Sequence, residues 1–350
     1  MAISPATPRT HQPQPAPPPA TVPETMPAVV ARRYGGPEVL QLEEVPTPVP
    51  GPDGVLVRVH ASSLNPLDWH LLTGTPYLVR PTSGLRRPKH QIRGADVAGT
   101  VVAVGSGVTD LGAGDAVFGD CQHGAYAAYV AVPADLLVAK PAGVSVEAAA
   151  ATPVAGLTAL QALRTHGRVQ PGDRVLVNGG AGGVGTFAVQ IAVALGAEVI
   201  AVCSTRNIEL VRSLGAAEVV DYLHEDFVDG GARIDVMVDN VGNRTAEECR
   251  RVLRPGGRYV AVSGPKDNRW VGPVPKLVRA AIGFRRTSQT FHQFIAAPNQ
   301  DDLAYLGELL AAGKVVPAID RVVGFGGVAA ALEEISGGHT RAKIVVVPPG

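Results

Sequence analysis

The residues with the most definite chemistry lie in RVLVNGGAGGVGTFAVQIAVALGA. Gly180, Gly182 and Gly185 follow the spacing G-x-G-x-x-G, directly after an apolar strand-like run and directly before a helical one. One glycine permits a tight turn, one lets the backbone approach a pyrophosphate, and the third lets helix and strand pack closely. The helix start offers unpaired N–H groups and the positive end of a dipole, so Gly183 and Val184 join the expected phosphate contacts. An NAD site usually carries an acid about 20 residues further on, which accepts from the ribose 2′-OH. Here the second strand ends Val202-Cys203-Ser204-Thr205-Arg206-Asn207, with no acid. Ser204 and Arg206 suit a 2′-phosphate, which needs donors and positive charge. NADP(H) is therefore the expected cofactor, the bland alternative for Arg206 being a solvated residue at a helix start.

A second chemical position is Asp96, the one carboxylate in IRGADVAGTVVAVGSG. Its residue type leaves three roles open: catalytic acid, metal ligand or structural group.

These positions need elements to hold them. From Pro27 to about Glu147 short apolar runs such as GVLVRVHASSL, TVVAVGSG, DAVFG and AAYVAV alternate with Gly and Pro, which predicts an antiparallel or barrel-like β domain. VEAAAATPVAGLTALQALRTHG is helical in pattern, with Gly167 as its stop. RVLVN, EVIAVCS, EVVDY, IDVMVDN and RYVAVSG then read as fully apolar strands separated by TFAVQIAVALGA, NIELVRSLGA and RTAEECRRVLRPGG. Such alternation is what a parallel sheet covered on both faces requires. A last strand, QTFHQFI, precedes a helix at DDLAYLGELLAAG, and KVVPAIDRVVGF…KIVVVP is β-like again and returns to the first domain.

The chain of 350 residues exceeds one ordinary core, so two domains are expected. Thirty-one basic and 31 acidic residues cancel, which argues against a nucleic-acid-binding surface or a polybasic membrane patch as the main business, while local patches stay open. Three scattered cysteines, Cys121, Cys203 and Cys249, fit a reducing cytoplasm rather than a disulfide framework. No run of 18 apolar residues predicts a membrane span. Residues 1–25 are proline-dense, without the apolar core of a secretory signal, and read as a disordered tail, with Met26 a candidate true start.

Taken together these segments resemble the medium-chain dehydrogenase/reductase superfamily, on its zinc-independent quinone oxidoreductase-like branch. The resemblance runs from MPAVVARRYGGPEVLQLEEVPTPVPGPDGVLVRVHA through SSLNPLD, GADVAGTVVAVG, GDAVFG, AAATPVAGLTALQAL, the glycine turn, CSTRNIELVRSLGA, VDYLHEDF and DNVG to GGHTRAKIVV. It implies an α/β fold: a GroES-like β domain from residues 26–147 and 298–350, and a Rossmann doubly wound parallel sheet domain at 148–297. Homodimers are common in such a family. Asn207 and Tyr222 match positions flanking the adenosine phosphate; Thr158, Asn240, Val241, Gly264 and Lys343 fall where relatives contact nicotinamide, ribose or phosphate.

Zinc-dependent relatives hold their metal with a Cys and a G-H-E segment, but this chain has Asn65 and Ala95 there, and Cys121 with His123 offers two ligands at most. No metal is expected. Hydride transfer to an activated acceptor, a quinone or an α,β-unsaturated carbonyl, is then the easier chemistry, with Asn65, Asp68 and Tyr77 lining the site. Asp68 reads equally as a capping carboxylate, and Asp96 as a partner of backbone or of Arg93. An alternative is an enoyl reductase working on a carrier- or coenzyme A-bound thioester, with RRPK at 86–89 and Arg285-Arg286 as pieces of a basic rim. A third is a non-catalytic NADPH-binding protein, as some relatives are.

Overall fold

The computed structural model describes residues 22–231, 233–263, 268–338 and 340–349. Gly264 and the proline-dense stretch up to residue 21 lie outside the described residues. The strands are β1 (Thr25–Ala31), β2 (Leu40–Pro46), β3 (Gly54–Ser63), β4 (Asp96–Val104), β5 (Ala116–Asp120), β6 (Tyr129–Pro133), β7 (Leu137–Ala139), β8 (Arg174–Asn178), β9 (Glu198–Cys203), β10 (Glu218–Asp221), β11 (Ile234–Asp239), β12 (Leu253–Ala261), β13 (Thr290–Gln293), β14 (Ile319–Gly324) and β15 (Lys343–Val347).

One sheet has seven strands in the order β14-β15-β3-β4-β5-β7, with β6 also paired to β3, and a separate pair β1-β2 lies beside it. Apart from the parallel pair β14–β15, its neighbours run antiparallel. Exposed and half-buried residues alternate strictly along the edge strand β14, as a one-sided surface demands. The last two strands of the chain thus complete a sheet begun by its first part.

The other sheet is wholly parallel, in the order β10-β9-β8-β11-β12-β13. Val175 to Asn178 and Val236 to Asp239 are buried along their whole length, because helices cover both faces. The order reverses between β8 and β11, so a crevice opens beyond their carboxyl ends, where such sheets bind ligands. One apolar cluster runs through both sheets: Ala61, Ala98 and Phe118 pack with Leu157, Phe187 and Val236.

Local details depart from the expectations. VEAAAATPVAGLTALQALRTHG is not one helix. It breaks into Val146–Ala150 and Pro153–Gln161, followed by a widened turn over Ala162–His166 that closes with Gly167 N–H on Ala162 O at 2.8 Å. Pro153 has no N–H to continue the first piece and sets the first turn of the second. RTAEECRRVLRPGG is helical only over Ala246–Val252; Leu253 already starts β12. The helix Val274–Gly283 is a further element that the apolar pattern of strands did not foretell.

Candidate active site

β3 ends at Ser63, directly opposite Asp96 at the start of β4, and Ser63 also faces Val345 on β15. Three chain segments therefore meet at one end of the seven-stranded sheet. Asp96 is fully buried, and every side-chain oxygen is used. Oδ1 accepts from Val154 N–H at 2.7 Å. Oδ2 accepts from the Ser63 hydroxyl, from Asn65 Nδ2 at 2.8 Å and from Lys343 Nζ at 3.3 Å. Lys343 is also buried, and its ammonium donates to Asn65 Oδ1 at 2.7 Å and Leu64 O at 3.0 Å. A buried charge requires this degree of pairing. The expected partner Arg93 is not part of it: its Nη2 donates to Leu71 O at 2.9 Å.

Lys343 also touches the glycine turn. A Cβ at Gly183 would lie 3.2 Å from Lys343 Cδ, and Ala342 N–H donates to Ala181 O at 2.8 Å. One side chain thus runs from the cofactor turn to Asn65.

Asp68 takes the capping position that its spacing also allowed. It is the third residue of the helix Pro66–Thr73, where it accepts from Asn65 N–H at 2.8 Å, Tyr126 OH at 2.9 Å and Gly94 N–H at 3.1 Å. All three are bonds inside the fold, and burial raises its pKa. Tyr77 takes no part in the hydrogen bonds of the Asn65–Asp96–Lys343 group. Its ring meets Trp270 edge-on at 5.1 Å, the Arg80 guanidinium lies 4.5 Å from its centroid, and its N–H donates to Arg269 O at 2.8 Å.

The turn after β8 is shaped for a pyrophosphate. Gly182 caps the helix Gly183–Ala194 with no side-chain partner for the first N–H groups. A Cβ on Gly182 would find only Gly179 O at 3.6 Å, so the space above it is open. At Gly185 a Cβ would sit 2.0 Å from Gly179 O, which fits the close-packing role. The tight turn belongs to Gly179, with φ +80°, rather than to Gly180.

Ser204, Arg206 and Asn207 follow β9, and Tyr222 follows the neighbouring β10, its N–H donating to Cys203 O at 3.0 Å. Asn207 Nδ2 donates to Ser204 Oγ at 3.2 Å, while its buried Oδ1 has no partner. A cavity of about 240 Å³ is lined by Arg206, Asn207 and Arg341 together with Asp320 and Glu334, two acids that are each paired with Arg321. Sequence reasoning missed Arg341, whose only signal was its place two residues before Lys343. It also missed Asp221, which accepts from Thr205 Oγ1 at 2.5 Å and is held below the usual carboxylate range chiefly by that bond.

At the crevice Asn240 Nδ2 donates to Asn178 O at 3.1 Å, and its buried Oδ1 is left without a partner. Val241 is half exposed on a turn fixed by the buried Asp239, which accepts from Val241 N–H at 3.0 Å, Gly242 N–H at 2.8 Å and Tyr259 OH at 2.8 Å. The Thr158 hydroxyl donates to Val154 O at 2.6 Å. The open space over Gly182, the uncapped helix start and the orphan oxygen of Asn240 together fit a nicotinamide dinucleotide. Zinc does not fit: a carboxamide already holding an ammonium and a methyl group stand at Asn65 and Ala95. Cys121 Sγ points at Ala95 O, 3.1 Å away, and His123 stacks on His90 at 3.5 Å.

The comparisons agree with this architecture. A family model described as alcohol dehydrogenase GroES-like domain matches residues 51–142, and one described as zinc-binding dehydrogenase matches residues 214–346. The chain belongs to the medium-chain dehydrogenase/reductase superfamily, on its quinone oxidoreductase-like branch, and is an oxidoreductase. An NADPH-dependent alkenal/one oxidoreductase of Arabidopsis thaliana, chloroplastic, is 36% identical over 344 residues, covering 94% of this chain and 81% of the relative. A trans-enoyl reductase of Aspergillus terreus is 34% identical, over 85% and 86% of the two chains. The quinone oxidoreductase of Coxiella burnetii superposes with a TM-score of 0.80 at 31% identity, over 92% of this chain and 99% of its own.

Proposed function

We propose that this protein uses NADPH to reduce quinones or α,β-unsaturated carbonyl compounds without a zinc ion. The carrying observation is the Lys343–Asn65–Asp96 group: the carboxamide that stands where metal-dependent relatives have a cysteine is already held by an ammonium and a carboxylate. The bound dinucleotide would supply the hydride, and an acceptor with a conjugated oxygen spreads the resulting negative charge without a Lewis acid. Lys343 acts as a positioning residue. All of its donors are engaged, so it orients Asn65 and fixes the distance between the site and the glycine turn. Arg206 and Arg341 supply the positive charge that favours a 2′-phosphate. Gly264 remains a cofactor contact on resemblance alone. β13 ends the order of the parallel sheet and is the edge through which a homodimer would pair. The three buried free thiols support a reducing compartment such as the cytoplasm.

An acceptor screen following NADPH absorbance, with NADH as control, tests the reading. Turnover of quinones or enones with NADPH is expected; inertness toward both classes would overturn it. Exposed Arg86, Arg87 and Lys89 favour the second reading, an enoyl reductase on thioester-bound substrates. Comparing a free enone with its coenzyme A thioester separates the two.

A further inference from the structure

The helix Val274–Gly283 keeps one side uncovered among the described residues. Val274, Val278 and Ile282, one turn apart, are 39%, 52% and 60% exposed, and Trp270 just before the helix is 72% exposed. The stripe continues onto Leu78, 56% exposed, whose N–H donates to Trp270 O at 3.1 Å. The charge around it is one-sided. Between Asp267 and Arg286 the chain holds Arg269, Arg279, Arg285 and Arg286 and no further acid, within a chain of zero net charge; Lys276 turns inward and its ammonium donates to Gly242 O. The four arginines are exposed, and among the described residues none has a carboxylate partner.

We propose that this face docks on an anionic lipid surface, with the apolar stripe at headgroup depth and the arginines against the lipid phosphates. A helix with cations flanking an apolar face and a tryptophan beside it lies naturally in a membrane interface. A twofold contact with a second copy would set this cationic patch against itself, and like charges repel. An acidic carrier protein would answer the arginines but leaves the valine–isoleucine stripe without hydrocarbon. The docked face borders Tyr77 and Leu78, so it also places the candidate substrate segment at the lipid surface, where an apolar acceptor would arrive. The inference goes beyond the reductase reading and does not depend on it.

The test is co-sedimentation of the full chain with phosphatidylcholine vesicles, with and without a third phosphatidylglycerol, while following Trp270 emission as the difference from a Trp270→Phe chain, which keeps Trp69. Binding only to the anionic vesicles is expected, with a blue shift and release by salt. Arg279→Glu/Arg285→Glu should weaken partitioning about tenfold or more. Val278→Asp/Ile282→Asp should abolish the blue shift while leaving turnover of a water-soluble acceptor unchanged. Absence of vesicle binding, binding equal on neutral and anionic vesicles, or binding indifferent to both double variants would overturn the proposal. So would a switch from dimer to monomer in the Val278→Asp/Ile282→Asp protein without lipid, which assigns the face to a second copy. Capture of an acidic carrier protein in place of vesicles would also overturn it.

Discussion

Lys343 and Asp96 form the buried ion pair on which the candidate site depends, and each also bonds Asn65. Lys343→Met removes the ammonium and leaves a carboxylate in the interior with neutral partners only. We expect a loss of about 3 kcal/mol in urea unfolding, because breaking a buried pair strands one charge. Adding Asp96→Asn should cost less than the sum of the two single changes, as contacting residues couple. At the other end of the site, Arg206→Glu puts a carboxylate beside the expected 2′-phosphate. The ratio of kcat/KM for NADPH over NADH should fall about tenfold or more, the worth of a charge-assisted hydrogen bond. An unchanged ratio would show that Arg206 does not read the phosphate.

At the scale of elements the glycine turn divides into two kinds of position. Gly185→Ala drives a methyl into Gly179 O, so helix and strand must separate and the melting temperature should drop by several degrees. Gly182→Ala meets no atom nearer than 3.6 Å, so the melting temperature should stay close to wild type while NADPH affinity, read by titration calorimetry, falls. The pair β4–β5 sets Asp120 opposite Asp96, and burial, then the neighbouring acid, pushes the Asp120 carboxyl up to about 7. The folded form then keeps a proton that the unfolded chain has released, so stability falls as pH rises from the ordinary 3.8 to about 7. Melting temperatures measured across that window should decline, and Asp120→Asn should flatten the decline.

These elements also show what a single chain reveals. The glycine turn and the parallel strands were legible because their signals are local: spacing, and continuous apolar runs. The partners of Asp96 were not, because Asn65 and Lys343 lie 31 and 247 residues away and only the sheet register brings them together. Asp68 carried the N-P-x-D spacing of a cap as plainly as that of a site residue, but its partner Tyr126 is 58 residues on and no local pattern links them. The break in the helix around Pro153 was readable from that proline and was overridden by the alanine-rich pattern.

For the whole molecule, the shared core and the Val154–Asp96 bond join the two sheets into one body. Calorimetry should show one main transition, and Lys343→Met should shift it as a whole; two separate peaks would mean independent domains. The sheet order has a temporal consequence as well. During synthesis β3 and β4 emerge long before β15, and Asn65 must wait for a lysine 278 residues further along the chain. Because the two sheets share one core, the reaction chamber stays open until that last segment arrives. A ribosome-bound chain would therefore lack both the Arg341 side of the cofactor cavity and the lysine that holds Asn65 until its final segment emerges, so cofactor grip and catalytic competence arrive together.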